Sequence, residues 1–389
     1  SGNTAVGRYA MQGNTTGGSN VAVGFQAMMS NTIGQYNTAL GSGALQNNTT
    51  GQNNTAVGNG ALAAITTGSQ NTAVGSNALA SNTTNYNNTA VGTSALQLNT
   101  AGGSTAVGNF AGAVITTGSD NNAFGNSSLR FTTTGTANTA IGTNALFTNT
   151  TGQNNTAVGN SSLYSNTFGN NNAAFGVNAL FKNTTGVYNT AVGNSAGYYL
   201  QSGADFITGT NTTTVGNDAR VSGDNQVQMG NSSTSFYAYG AYNNRSDIRD
   251  KADVRDTVLG LEFVNKLRAV DFKWDYREDY DVEVIDRDED GNEIGRHLER
   301  QEKDGSKKRN RYHHGVIAQE VKQVMEELGI DFAGYQDHTI NGGCDVLTIG
   351  YTELIAPLIK AVQELSIGLD AANAEIAKLK GCLLYTSPS

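Results

Sequence analysis

Ser246 and Lys251 stand five residues apart at the point where the chain changes character. A serine hydroxyl is a poor nucleophile until a base removes its proton. A lysine can act as that base when burial lowers its pKa from about 10.4 towards neutrality. A pair of this kind, set at the junction of two unlike halves, suggests a chain built to cut itself there. Five residues apart, the two side chains would point about 140° from each other on a helix and to opposite faces of a strand. A dyad therefore requires a bend between them, such as a helix start. The bland alternative makes Ser246 or Asp247 a helix N-cap and leaves Lys251 solvated, and spacing alone favours it.

The halves differ most in charge. Residues 1–245 carry five Lys/Arg and four Asp/Glu, whereas the remainder carries 19 basic and 29 acidic residues. Neither half has the clustered basic face of a nucleic-acid binder, and the acidic half should repel nucleic acid and anionic membranes. No transmembrane run or signal peptide is apparent. Both cysteines, Cys344 and Cys382, lie in the second half. The first half must therefore be held by packing and hydrogen-bond ladders, which fits assembly in a reducing cytoplasm. The chain opens inside a repeat, so an N-terminal region is expected to be missing. Residues 382–389 resemble the translation of a sequencing adapter and are set aside, which implies that the true C-terminus is missing too.

Glycines mark the repeat at 7, 24, 41, 58, 75, 92, 108, 125, 142, 159, 176 and 193, with every interval 17 residues except one of 16. Such a period implies a solenoid whose coils cannot bury their apolar face alone. Seventeen residues suit two short strands and two tight turns. In Thr55-Ala56-Val57, alternation sends Thr55 and Val57 to one face and Ala56 to the other. Ala61-Leu62 gives a second apolar point, and Thr66-Thr67-Gly68 a turn. Stacked coils would align Asn on Asn and Thr on Thr. At ~4.8 Å per coil, the repeats make a rod roughly 50–60 Å long. Each coil buries little, so three chains are expected to pack side by side. The Asn-Thr-Ala-Val-Gly motif resembles the β-roll head of YadA-type trimeric adhesins, over residues 1–195, with a longer coil. Residues 196–245 are an irregular, aromatic-rich β neck or cap. The many Asn-x-Thr triplets are turn positions of the repeat rather than glycosylation sites.

Downstream, apolar spacing predicts a helix over about 253–268, then a strand over 269–274. A charged stretch, 275–311, reads as a protruding hairpin or pair of hairpins. Within it Asp286-x-Asp288-x-Asp290-Gly291 imitates the start of a calcium loop, but position twelve is His297 rather than Glu. A plain turn is the better reading, and neither metal nor cofactor is expected. A helix over 320–328, a strand over 345–349 and a last helix over about 352–380 follow. The last places Ile355, Val362, Leu369 and Ile376 at heptad position a, with Leu358, Leu365, Ala372 and Leu379 at d, a coiled-coil seam.

Four motifs occur in order: Ser246-Asp247-x-Arg249-x-Lys251, Val270-Asp271-Phe272-Lys273-Trp274, Gly315-Val316-Ile317-Ala318-Gln319-Glu320, and Tyr351-Thr352-Glu353-Leu354 with Leu358–Leu365. Together they resemble the intramolecular chaperone domain of endosialidase-type phage tailspikes and tail fibres, over about 246–380. The resemblance implies an α+β chaperone domain ending in a trimeric coiled coil, which folds the preceding β-fibre and then releases itself. It implies Ser246 as nucleophile, Lys251 as base and a cut between Arg245 and Ser246. His313 and His314, beside the third motif, are read as structural. The expected protein is a homotrimeric virion tail fibre, assembled in the host cytoplasm. Its expected partners are a cell-surface receptor, glycan or outer-membrane component, and other virion proteins bound through the missing N-terminal region. A bacterial trimeric adhesin without self-cleavage is the alternative. A glycan-cleaving fibre needs a carboxylate pair, and Asp120, Asp205, Asp218 and Asp224 form no paired motif.

Overall fold

The computed structural model describes residues 2–234, 251–288, 291, 293–341 and 345–384. The chain forms two compact units, one of residues 1–234 with Asp281–Arg300, the other of 235–280 with 301–389.

The first unit is a parallel β-solenoid. Three-residue strands from β1 (Thr4–Val6) through β4 (Thr55–Val57) and β5 (Thr72–Val74) to β13 (Thr213–Val215) and β14 (Val227–Met229) stack in chain order as a 14-stranded sheet. Register places equivalent residues over one another: Thr55 opposite Thr72, Ala56 opposite Ala73, Val57 opposite Val74. The ladder continues past residue 195, through a 23-residue step from Gly193 to Gly216 and a 14-residue step to Gly230. The middle residue of each strand points inward, and the alanines from Ala22 to Ala191 are buried.

The marker glycines keep the period because nothing larger fits. Gly58 has φ +133°, and a Cβ there would lie 2.6 Å from the Gly75 carbonyl oxygen. The second strand expected in each coil is not formed. Ala61-Leu62 lies in a turn, with Leu62 in the left-handed region at φ 51° and fully buried. The same holds at Leu45, Leu79, Leu96, Leu129, Leu146, Leu163 and Leu180. A left-handed residue costs about 1–2 kcal/mol, and complete burial of a leucine returns about 1.5–3 kcal/mol, so the turn stands. Backbone bonding between coils persists there, with the Leu62 amide donating to the Ala78 carbonyl at 3.0 Å.

A column of buried asparagines closes the core. Asn37, Asn54 and Asn71 each accept, through Oδ1, the backbone N–H of the equivalent residue one coil on, at about 3.0 Å for Asn37 to Asn54 and Asn54 to Asn71. Asn54 Nδ2 also donates to the Gly68 carbonyl at 2.9 Å. In the short coil Ser104 takes the asparagine's place and passes the bond on through Oγ to Asn121. A second column runs through Asn14, Asn31 and Asn48. It breaks where the next coil offers Ile65, and the Asn48 Oδ1 then has no hydrogen-bond partner among the described residues. Asn183 Oδ1 is left in the same state where Phe206 follows.

The second unit is α+β. Its core is Phe263, Val321, Val324 and Phe332, contributed by α1 (Leu261–Lys266), α2 (Ala318–Leu328) and the loop after α2. Helix α1 is shorter than the expected 253–268. Asp253 is left-handed at φ 52°, and Thr257 Oγ1 accepts the Leu259 N–H at 3.1 Å, a local turn that competes with helix. Val258, which has the apolar spacing of that helix, is exposed. Helix starts only where Glu364 of α3 (Ile355–Leu384) accepts the Leu261 N–H at 2.7 Å.

Replacing Asn54 by Ala should leave the Asn71 N–H and the Gly68 carbonyl buried and unpaired. At about 1–3 kcal/mol for each group, the loss should be at least about 2 kcal/mol. Thermal unfolding of Asn54→Ala beside Thr55→Ala, a half-buried control, measures it; equal midpoints would contradict the role given to the column.

Candidate functional site

Lys251 lies in a non-helical segment that is exposed as far as Asp256, and no helix begins before Leu261. Arg245 and Ser246 lie outside the described residues, as do Phe236, Tyr237, Tyr239, Tyr242, Asp290 and Cys344.

The later motifs converge within the second unit. Strand β15 (Val270–Phe272) pairs antiparallel with β18 (His313–Gly315), setting Val270 opposite Gly315 and Asp271 opposite His314. His314 Nδ1 lies 2.5 Å from Asp271 Oδ1. The His313 ring packs beside Phe272 and Trp274, and Trp274 stacks on Tyr276 at 4.8 Å. Tyr351 then closes over Gly315: its hydroxyl accepts the Val316 N–H at 3.2 Å, and a Cβ on Gly315 would lie 2.2 Å from that oxygen. Strands β19 (Tyr335–Asp337) and β20 (Leu347–Ile349) form a further antiparallel pair. A cavity of about 590 Å³ is lined by Phe272, His313, Ile317, Leu347 and Tyr351.

Among its described residues helix α3 buries only Pro357 and Ala361, on the side that meets α1. The residues at heptad a and d are all exposed: Ile355, Leu358, Val362, Leu365, Leu369, Ala372, Ile376 and Leu379. An apolar seam of that length is open to a partner helix. The solenoid has a second exposed apolar line, formed by the last residue of each strand. Val91, Val107, Phe124, Ile141, Phe175 and Val192 are each between 36% and 43% exposed.

The charged stretch forms one hairpin, β16 (Asp281–Arg287) with β17 (Glu293–Arg300), and packs as part of the solenoid unit. Asp286, first of the calcium-like residues, sits on β16, 3.1 Å from His297 Nδ1, so the stretch is hairpin there. Asp281 has a side chain only 2% exposed. Its carboxylate accepts from Arg300 Nε at 2.7 Å and Nη2 at 3.0 Å, and from Arg220 Nη1 at 2.9 Å. Arg220 is bound on its other edge by both oxygens of Asp218, at 2.9 and 2.7 Å. Burial alone would lower the Arg220 pKa, but Asp218 and Asp281 outweigh it and hold the guanidinium charged. Sequence reading missed this cluster, because Arg220 and Asp281 are 61 residues apart. The aromatic column beside it carried a signal: Phe147, Tyr164, Phe181 and Tyr198 recur at the coil period, and their rings stack at 4.9–5.2 Å.

Residues 246–330 match the model of a peptidase family described as the chaperone of endosialidase. The match begins at Ser246 and covers the first three motifs. No curated protein and no solved structure matches the chain. The segment is thus similar to an endosialidase-type chaperone, placed directly after a β-solenoid.

Gly315→Ala should destabilise the second unit by roughly 1–3 kcal/mol through overpacking against the tyrosine. Adding Tyr351→Phe, which removes the obstructing oxygen, should recover part of that loss. Urea unfolding of the two variants tests this; additive losses in the double variant would place the clash elsewhere.

Proposed function

We propose that the chain is a phage tail-fibre protein whose C-terminal segment registers three copies of the solenoid and then cuts itself free between Arg245 and Ser246. The observation that carries this reading is the chaperone-family match beginning at Ser246, immediately downstream of a repeat that cannot register itself. In near-identical coils, a slip of one coil preserves most contacts. The exposed seam of α3 and the exposed line of strand-end residues support self-association at both ends of the chain. A homotrimer satisfies both, as in the adhesin heads that the repeat resembles.

In the proposed reaction Lys251, neutral, takes the Ser246 hydroxyl proton. Ser246 Oγ attacks the Arg245 carbonyl carbon, and the C–N bond breaks as the Ser246 amine takes a proton. The resulting ester is hydrolysed by water, leaving an Arg245 carboxylate and a free Ser246 N-terminus. One turnover in minutes requires a barrier near ~21 kcal/mol, modest by enzyme standards. Lys251 is exposed in the single chain, and a lysine becomes a useful base only where burial disfavours its charge. Assembly supplies the burial that the chemistry needs, so cleavage follows trimerisation. The fibre that remains carries the surfaces for a cell-surface receptor.

Intact-mass analysis should find a break between Arg245 and Ser246 in the wild type. It should find none in Ser246→Ala or Lys251→Ala, each of which still trimerises. Normal cleavage in either variant would remove that residue from the mechanism. A gene ending at Arg245 should yield insoluble or unassembled product, and soluble trimer from it would refute the chaperone role.

A further inference from the structure

Charge is scarce in the solenoid, yet half of it gathers at one place. Residues 1–234 contain only Arg8, Arg130, Lys182 and Arg220 as cations, with Asp120, Asp205, Asp218 and Asp224 as anions. Lys182, Asp205, Asp218 and Arg220 all lie at the end of the aromatic column. Lys182 Nζ is 3.2 Å from Asp205 and 5.6 Å from the centre of the Tyr198 ring; Arg220 lies 5.6 Å over Tyr199. Both cationic side chains are largely covered, 19% and 13% exposed. Burial also pushes the Tyr199 hydroxyl well above its ordinary pKa, helped by Tyr198 beside it, so it stays protonated. That hydroxyl is buried with no hydrogen-bond partner among the described residues. These residues and Asn194 line a cleft of about 920 Å³ whose remaining wall is the β16–β17 hairpin, through Glu283, Arg296 and Leu298.

The hairpin shows what the cleft accepts. Arg220 Nη1 donates to the Asp281 carboxylate, and Lys182 Nζ donates at 2.9 Å to the Arg296 backbone carbonyl. One donor thus takes a carboxylate and the other a neutral oxygen, beside aromatic rings and an asparagine amide. Asp281 and Arg296 both lie downstream of residue 246. When the C-terminal segment departs, the hairpin goes with it. Both donors are then vacated, while Asp218 still holds the guanidinium in place from behind and Asp205 still holds Lys182.

We propose that the solenoid face under this hairpin is a binding site for a carboxylate-bearing saccharide, and that the hairpin occupies it with the Asp281 carboxylate until the chain is cut. A sugar acid supplies one carboxylate for Arg220, hydroxyls or a carbonyl for Lys182, Asn194 and Tyr199, and an apolar ring face for Tyr198. A few placed polar groups beside aromatic rings suit ligands of this kind, and charge-assisted donors to a carboxylate are the strong ones. The site rests on the self-release proposed above, because only release clears the hairpin.

The test uses full-length chains carrying Ser246→Ala and a site-specific protease sequence inserted after Arg245, so that the C-terminal segment can be removed without self-cleavage. Binding of a fluorescent oligogalacturonate is measured before and after protease treatment, with its neutral methyl ester and inorganic phosphate as competitors. The cut fibre should bind the oligouronate at least tenfold more tightly than the uncut one. The ester should compete at least tenfold more weakly than unlabelled acid, and phosphate hardly at all. Arg220→Ala, assembled and cut in the same way with its trimer intact, should lose tenfold or more, and Arg220→Lys should recover part of it. Equal binding before and after cutting, no preference for the acid over its ester, or no binding to the cut fibre would overturn the proposal. A wild-type chain that stays uncut would refute self-cleavage alone, since the protease arm reads the cleft independently.

Discussion

Everything in the solenoid depends on one asparagine per coil. The core is only an alanine and a leucine deep, so apolar burial alone holds each coil weakly. What makes the stack specific is that an inward asparagine accepts a backbone N–H from the next coil and donates to a backbone carbonyl at the turn. A buried amide left unpaired costs more than a formed hydrogen bond contributes net. Each coil is thus stable only when the next is present, and the chain folds as a cooperative series of nearest neighbours. Where the second column meets Ile65 or Phe206, an acceptor is left over, and the exchange is between a buried apolar side chain and an unsatisfied oxygen.

That cooperativity creates the difficulty the second half of the chain addresses. Near-identical coils give nearly the same contacts after a shift, so coils alone specify register weakly. The α3 seam is short, apolar and exposed along its length. In the proposed assembly it joins the chains before the long-range ladders form, which lowers the loop-closure cost of pairing distant segments.

Much of this was readable from residue order alone, for physical reasons. The glycine period is strict because a Cβ at each marker would enter the next coil's carbonyl, so sterics preserve the signal. The parallel β-solenoid and the α+β region with its long last helix follow from period and heptad. The second strand per coil was misread because Ala61-Leu62 looks like a strand end. Only burial inside the coil makes a left-handed Leu62 tolerable. The helix expected from residue 253 was misread because Val258 has helical spacing but no surface to cover. The hairpin was legible from its turns, but not its docking, since nothing local to Asp281 points to Arg220.

The outward line of strand-end residues has one more consequence. It reads Val, Val, Leu, Val, Val, Val, Val, Phe, Ile, Val, Phe, Val, Val, Met from β1 to β14. The inward positions are nearly uniform, so the address of a coil is written on the outside. Phe124, Ile141 and Phe175 are spaced unevenly, and the 16-residue coil between Gly92 and Gly108 breaks the beat once. A slip of one coil therefore leaves most outward positions alike and changes them chiefly beside Phe124, Ile141 and Phe175, a faint numbering on an otherwise unmarked ruler.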